Sequence, residues 1–236
     1  MESRKQAFRR GVLNGVPICL GYVAVSFSFG ILALKGGLTP VQAVLMSVLN
    51  LTSAGQFASL SIIAAAGSYA ELALSQLVIN LRYCLMSCSL SQKVDRQFPF
   101  FHRFFMAYGN TDEVFALSMA EKGPLSPFYT YGLICIAALG WAGGTLLGAV
   151  AGSVLPGRVL SALGVALYAM FMAIVVPPSR ENKVLRVLIL VSMAASALFA
   201  YAPLLRDMSG GIRIIVLTVL LAAGAAWLAP VREEEP

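Results

Sequence analysis

Apolar residues run along this chain in blocks long enough to cross a lipid bilayer, and the polar residues that interrupt them fall at a few places. A hydrocarbon core about 30 Å thick needs roughly 20 helical residues. On that basis the blocks predict spans over 11–34, 40–66, 69–91, 128–152, 159–176, 183–201 and 212–228. The stretch 106–120 is shorter and has Gly109-Asn110-Thr111-Asp112-Glu113 at its centre. It is an eighth span if it crosses and a dipping segment if it does not. The fold class is therefore all-α: a polytopic membrane bundle of seven or eight helices with broken or re-entrant segments.

The run from Tyr69 to Ser91 organises the rest. It carries Asn80 and Arg82 near its middle, where a guanidinium costs on the order of 2.5–3.5 kcal/mol and cannot shed its proton. Gln76, Asn80, Tyr83 and Ser87 share one helical face, and Ser75, Arg82 and Ser89 share a second. Two polar faces imply burial among other helices. Arg82 reads either as a recognition element in a transport pathway or as a clamp on backbone carbonyls, and intramembrane charge favours the first.

Other interruptions carry their own expectations. Pro17 and Gly21 invite a kink or break in the first span. In the second span, Asn50-Leu51-Thr52-Ser53-Ala54-Gly55-Gln56 reads either as a discontinuous helix that frees backbone groups for a ligand or as a polar packing face in an unbroken one. Thr111 is an N-cap candidate for a helix opened by Asp112 and Glu113. Those carboxylates are either simple caps or a proton or amine site on a half-helix. The basic-aromatic stretch 92–105 resembles an interfacial belt. Gly140, Gly144, Gly148 and Gly152 form a four-residue ridge that admits a helix very close, from this chain or from a partner.

A faint echo aligns Ser47 to Phe57 with Ser161 to Phe171, which suggests an internal two-fold repeat with halves of about 11–92 and 127–202 inside one integral-membrane domain, 1–236.

Composition agrees. The 236 residues are 58% hydrophobic and 12% charged, where a soluble domain carries roughly a quarter charged residues. The net charge of +6 reports topology and lipid contact, with no nucleic acid expected. Arg4, Lys5, Arg9 and Arg10 before the first span favour a cytoplasmic N-terminus, and 11–34 is too long for a signal-peptide core. The four cysteines read as small buried apolar side chains. With a single histidine, no metal and no cofactor are expected.

No constellation for catalysis stands out, so an enzyme is not expected. A secondary transporter fits the interrupted helices, the intramembrane arginine and the isolated carboxylates. A non-transporting structural subunit of a membrane complex is the alternative class.

Pro17 with Gly21-Tyr22 and Phe29-Gly30, then Ala54-Gly55-Gln56-Phe57, Asn80-Leu81-Arg82-Tyr83, and Thr111-Asp112-Glu113 with Phe115-Ala116-Leu117 resemble the AzlC family, the large subunits of bacterial branched-chain amino acid exporters. The resemblance lies in the first half by motif and in the second by hydropathy. It implies a multi-pass protein of the bacterial inner membrane that exports leucine, isoleucine and valine, with methionine as an extension, driven by the proton motive force. Another small amphipathic metabolite is the alternative cargo. It also implies a small partner of the AzlD type with about four helices.

The two lines join in a site. Arg82 would take an amino acid carboxylate bidentately. Asn80, Gln56 and carbonyls around Ala54-Gly55 would take its ammonium, with Asn50, Tyr22 and Tyr83 completing the surroundings. Asp112 or Glu113 would carry the proton, since desolvation raises a carboxyl toward neutral pH.

Overall fold

Helix ends in this chain are written by capping residues. In a computed structural model describing residues 3–152, 182–202 and 208–229, with Met172, Val176, Ser179 and Arg180, Ser3 and Gln6 form a capping box that opens α1, Arg4–Lys35. Thr39 and Gln42 form a second box, with Pro40 at the first position of α2, Pro40–Leu49. Asn50 leaves helical geometry (φ −136°, ψ 80°) and ends α2, and α3 follows as Ser53–Ala64. Next come α4 (Tyr69–Lys93), α5 (Phe101–Tyr108) and α6 (Asp112–Ala120), the last capped by the Thr111 side chain accepting from Val114 N. Among the described residues three further helices follow: α7 (Pro127–Ala151), α8 (Lys183–Tyr201) and α9 (Gly210–Leu228). Among the described residues there is no β-strand, and α1, α7, α8 and α9 are each long and apolar enough to cross a membrane. The chain is an all-α membrane helix bundle.

The helices fall into two bodies, 1–57 with 80–166 and 58–79 with 167–236, and α3 and α4 each pass from one to the other. In the second body Ser59 Oγ accepts from Gln76 Nε2 at 2.8 Å, and Glu71 accepts from Gly211 N at 3.1 Å and from the Ser209 hydroxyl. An apolar groove of about 410 Å³ runs between α8 and α9, with Lys183 at its rim.

The first body is built on α1 and α7 lying side by side and parallel. A Cβ on Gly132 would overlap Phe8 O, and one on Gly140 would lie 2.7 Å from Cys19 O. On Gly144 it would lie 2.5 Å from Val23 O, on Gly148 it would overlap Phe27 O, and on Gly152 it would lie 3.0 Å from Ile31 Cγ1. The ridge is therefore filled by this chain's own α1, which settles between the two occupants the sequence allowed. Pro17 and Gly21 lie on the exposed face of α1, and the helix continues through both. The expected break does not form there. Gly15 and Cys19, on the other face, are held against α7, so the lost hydrogen bond at Pro17 is tolerated.

Two breaks in the first body, among the described residues, are each the tip of a hairpin. Lys93 Nζ donates to Met119 O and Glu121 O at 2.5 Å each, and Glu121 pairs with Arg10 at 2.5 Å. These contacts put the end of α4 and the end of α6 beside the start of α1. Arg103 Nε donates to Ser91 Oγ at 2.9 Å, so α5 also begins at that end. It rises along α4 until Asn110 Nδ2 reaches Ser87 Oγ at 3.1 Å, and α6 then returns. The segment 106–120 therefore dips and does not cross.

α2 starts just beyond the opposite end of α1 and runs inward to Ser47, which meets Thr145 of α7 at 2.7 Å. After the break Thr52 Oγ1 donates to Asn80 Oδ1 at 2.7 Å, and α3 runs back toward the start of α4. The expected span 40–66 is thus a second hairpin, entering from the other end. With 10, 12, 8 and 9 residues, α2, α3, α5 and α6 are about 12–18 Å long, too short to cross alone. The Tyr108 hydroxyl donates to Val48 O, so the two hairpins meet near their tips.

Cys84, Cys88 and Cys135 are exposed, and only Cys19 is partly covered. The expectation of burial was wrong for these three because they lie on outward apolar faces, beside Leu81, Leu85 and Leu139. Phe100, Phe101, Phe104 and Phe105 are also exposed, with Arg103 over the Phe100 ring, as an interfacial belt requires. The repeat copy at 161–171 and most of the span 159–176 lie outside the described residues.

Candidate functional site at the meeting of two half-helix hairpins

The middle of α4 stands level with both tips. Asn80 and Arg82 are central in this 25-residue helix, each about 16 Å from one of its ends. Arg82 Nη1 lies 2.8 Å from Asp112 Oδ2, on the first residue of α6. Both side chains are partly accessible, Arg82 at 46% and Asp112 at 37%. Arg82 Nη2 also donates to the Tyr83 hydroxyl at 3.3 Å, and its guanidinium lies 5.0 Å from that ring's centre.

Glu113, the next residue, turns about 100° round the helix and faces α1, where the buried Tyr22 hydroxyl donates to Glu113 Oε2 at 2.5 Å. The first turn of α6 therefore holds two carboxylates with separate partners, in the place where a helix dipole favours negative charge. Asn110, only 3% exposed, uses its Nδ2 on Ser87, while its Oδ1 is buried with no donor.

A closed ring of hydrogen bonds lies behind Tyr22. Trp141 meets the Tyr22 ring edge-on at 5.3 Å and donates from Nε1 to Gln56 Oε1 at 2.6 Å. Indole nitrogen can only donate, which fixes the Gln56 amide with Nε2 toward Ser47 Oγ, 3.1 Å away. Thr145 donates to Trp141 O at 2.9 Å, so Ser47 must donate to Thr145. Each donor has one acceptor and the ring closes. It ties α2 through Ser47 and α3 through Gln56 to α7, and all four side chains are buried.

The structure thus brings Arg82, Tyr83 and Asp112 together, and joins Tyr22 to Glu113. Asn80 meets Thr52 at the first tip, Asn50 ends α2, and Ala54 and Gly55 sit in the opening turn of α3. Gln56 is sealed, fully buried and committed to Trp141 and Ser47. The sequence reading gave no site role to Trp141, Ser47, Thr145 or Thr52, although Thr52 lies in the polar stretch it singled out. A tryptophan inside an apolar helix was the available signal, because its N–H needs a partner when buried.

The pattern of the AzlC protein family matches residues 17–155, which contain every one of these groups. An uncharacterized membrane protein of Archaeoglobus fulgidus is 35% identical over 181 residues, 74% of this chain and 77% of its own length. The inner membrane protein YgaZ of Escherichia coli is 31% identical over 173 residues, 70% of this chain and 71% of its own. An uncharacterized membrane protein of Helicobacter pylori is 26% identical over 159 residues, 65% and 68% respectively. No solved structure matches the chain.

Proposed function

This chain belongs to the AzlC family of transporter-like membrane proteins, and from that premise we propose that it exports branched-chain amino acids, coupled to the proton motive force. It does so as the large subunit of a two-component exporter in the bacterial inner membrane, with its N-terminus cytoplasmic and a small AzlD-like membrane subunit beside it.

One observation carries this reading: the half-exposed Arg82–Asp112 pair stands where two half-helix hairpins from opposite ends meet. Broken helices meeting halfway along a long helix are how transporters expose backbone and charge to a substrate without exposing them to lipid. Arg82 receives the amino acid carboxylate, and its fixed charge and forked donors suit a bidentate grip. Asp112 or Glu113 supplies the titratable charge for proton coupling, and Tyr22 holds Glu113 against α1.

Proteoliposomes holding the chain with its small subunit test the proposal. Leucine, isoleucine and valine should move when a pH gradient is imposed, and an uncoupler should stop them. If these amino acids do not move and no other amino acid does, the reading fails.

A further inference from the structure

We propose that the Arg82–Asp112 ion pair is itself the receptor for an α-amino acid zwitterion, with Arg82 taking the carboxylate and Asp112 the ammonium. The inference rests on the exporter reading and deepens it by moving Asp112 from proton carriage to substrate recognition.

The pair reproduces the charge pattern of the cargo. A zwitterion's carboxylate and ammonium are joined through one carbon, and a guanidinium and a carboxylate 2.8 Å apart offer the complementary poles. Insertion exchanges one pair for two, so neither protein charge is left uncompensated. Both side chains are partly accessible, as a ligand requires. The two side chains earlier considered for the ammonium already have partners: Gln56 is fully buried in its ring, and Asn80 Oδ1 accepts from Thr52.

Asn110 supplies the independent observation. At the same turn, two residues before Asp112, its Oδ1 is buried with no donor, although buried polar atoms are normally paired. An ammonium carries three N–H donors and needs acceptors besides one carboxylate. Asn110 Oδ1 is an acceptor in want of one.

The test uses leucine and its two one-pole analogues, 3-methylbutylamine and 4-methylpentanoate, binding to the purified complex. On the wild-type protein leucine should bind about ten- to a hundredfold more tightly than either analogue. In Asp112→Asn leucine should weaken by a similar factor. There 4-methylpentanoate should bind more tightly than to wild type, because Arg82 no longer has to leave a carboxylate. Asp112→Glu should recover part of the leucine affinity.

If leucine binds Asp112→Asn as it binds wild type, or if the analogues bind wild type as tightly as leucine, this assignment is overturned while the exporter reading stands. If the wild-type complex binds and moves no amino acid, the exporter reading itself has failed. Should Asp112→Asn not fold, the analogue series on the wild-type protein decides the question alone.

Discussion

The Asp112 carboxylate stands 2.8 Å from the Arg82 guanidinium, and that contact joins the first residue of a half-helix to the centre of α4. In the water-filled pathway that the exporter reading requires, a half-exposed ion pair adds little to stability, about 0–1 kcal/mol. Asp112→Asn should therefore leave the melting temperature of the detergent-purified protein nearly unchanged while transport falls. A large loss of Tm with proportionate loss of flux would mark the pair as a structural clamp.

The ring through Trp141 makes the opposite prediction. Trp141→Phe removes the donor to Gln56 Oε1 and leaves a buried amide oxygen unpaired, at a cost of about 1–3 kcal/mol. Trp141→Phe with Gln56→Leu removes both partners and should cost less than the sum of the two single changes. Thermal unfolding of the three variants checks this, and strict additivity would mean the two side chains do not interact.

Adjacent glycines on α7 give an internal control for the α1–α7 interface. A Cβ on Gly144 would overlap the Ser26 hydroxyl and lie 2.5 Å from Val23 O, whereas one on Gly143 meets nothing within 4 Å. Gly144→Leu should abolish monodisperse protein in size-exclusion chromatography, and Gly143→Leu should be tolerated. Equal tolerance would place α1 elsewhere.

Hairpin topology predicts which loops share a side of the membrane. In a background without the four native cysteines, single cysteines at Gln97 and Lys122 should label from one side, the side of Lys5. A cysteine at Gly37 should label from the other. Labelling of positions 97 and 122 from opposite sides would mean that 106–120 crosses after all.

These contrasts show what the sequence could and could not disclose. Arg82 and Asn80 were legible because charge in the middle of an apolar helix is rare, and Thr111 because an N-cap followed by two acids is local chemistry. The breaks at Asn50–Thr52 and Gly109–Thr111 were legible as polar clusters. Their hairpin geometry was not, since two half-helices that return have the same hydropathy as one that crosses. The sealing of Gln56 depended on Trp141, distant in sequence, so Gln56 read as a ligand group. Pro17 and Gly21 misled because the helix face opposite them is held by α7.

The central claim is that the charge in the middle of α4 handles cargo. Leucine counterflow in proteoliposomes, comparing wild type with Arg82→Gln at equal amounts of folded complex, tests it most directly. The account predicts that Arg82→Gln assembles with the proposed small subunit and loses leucine exchange. Undiminished exchange by that variant would contradict it, as would a failure confined to assembly with full activity in the complex that survives.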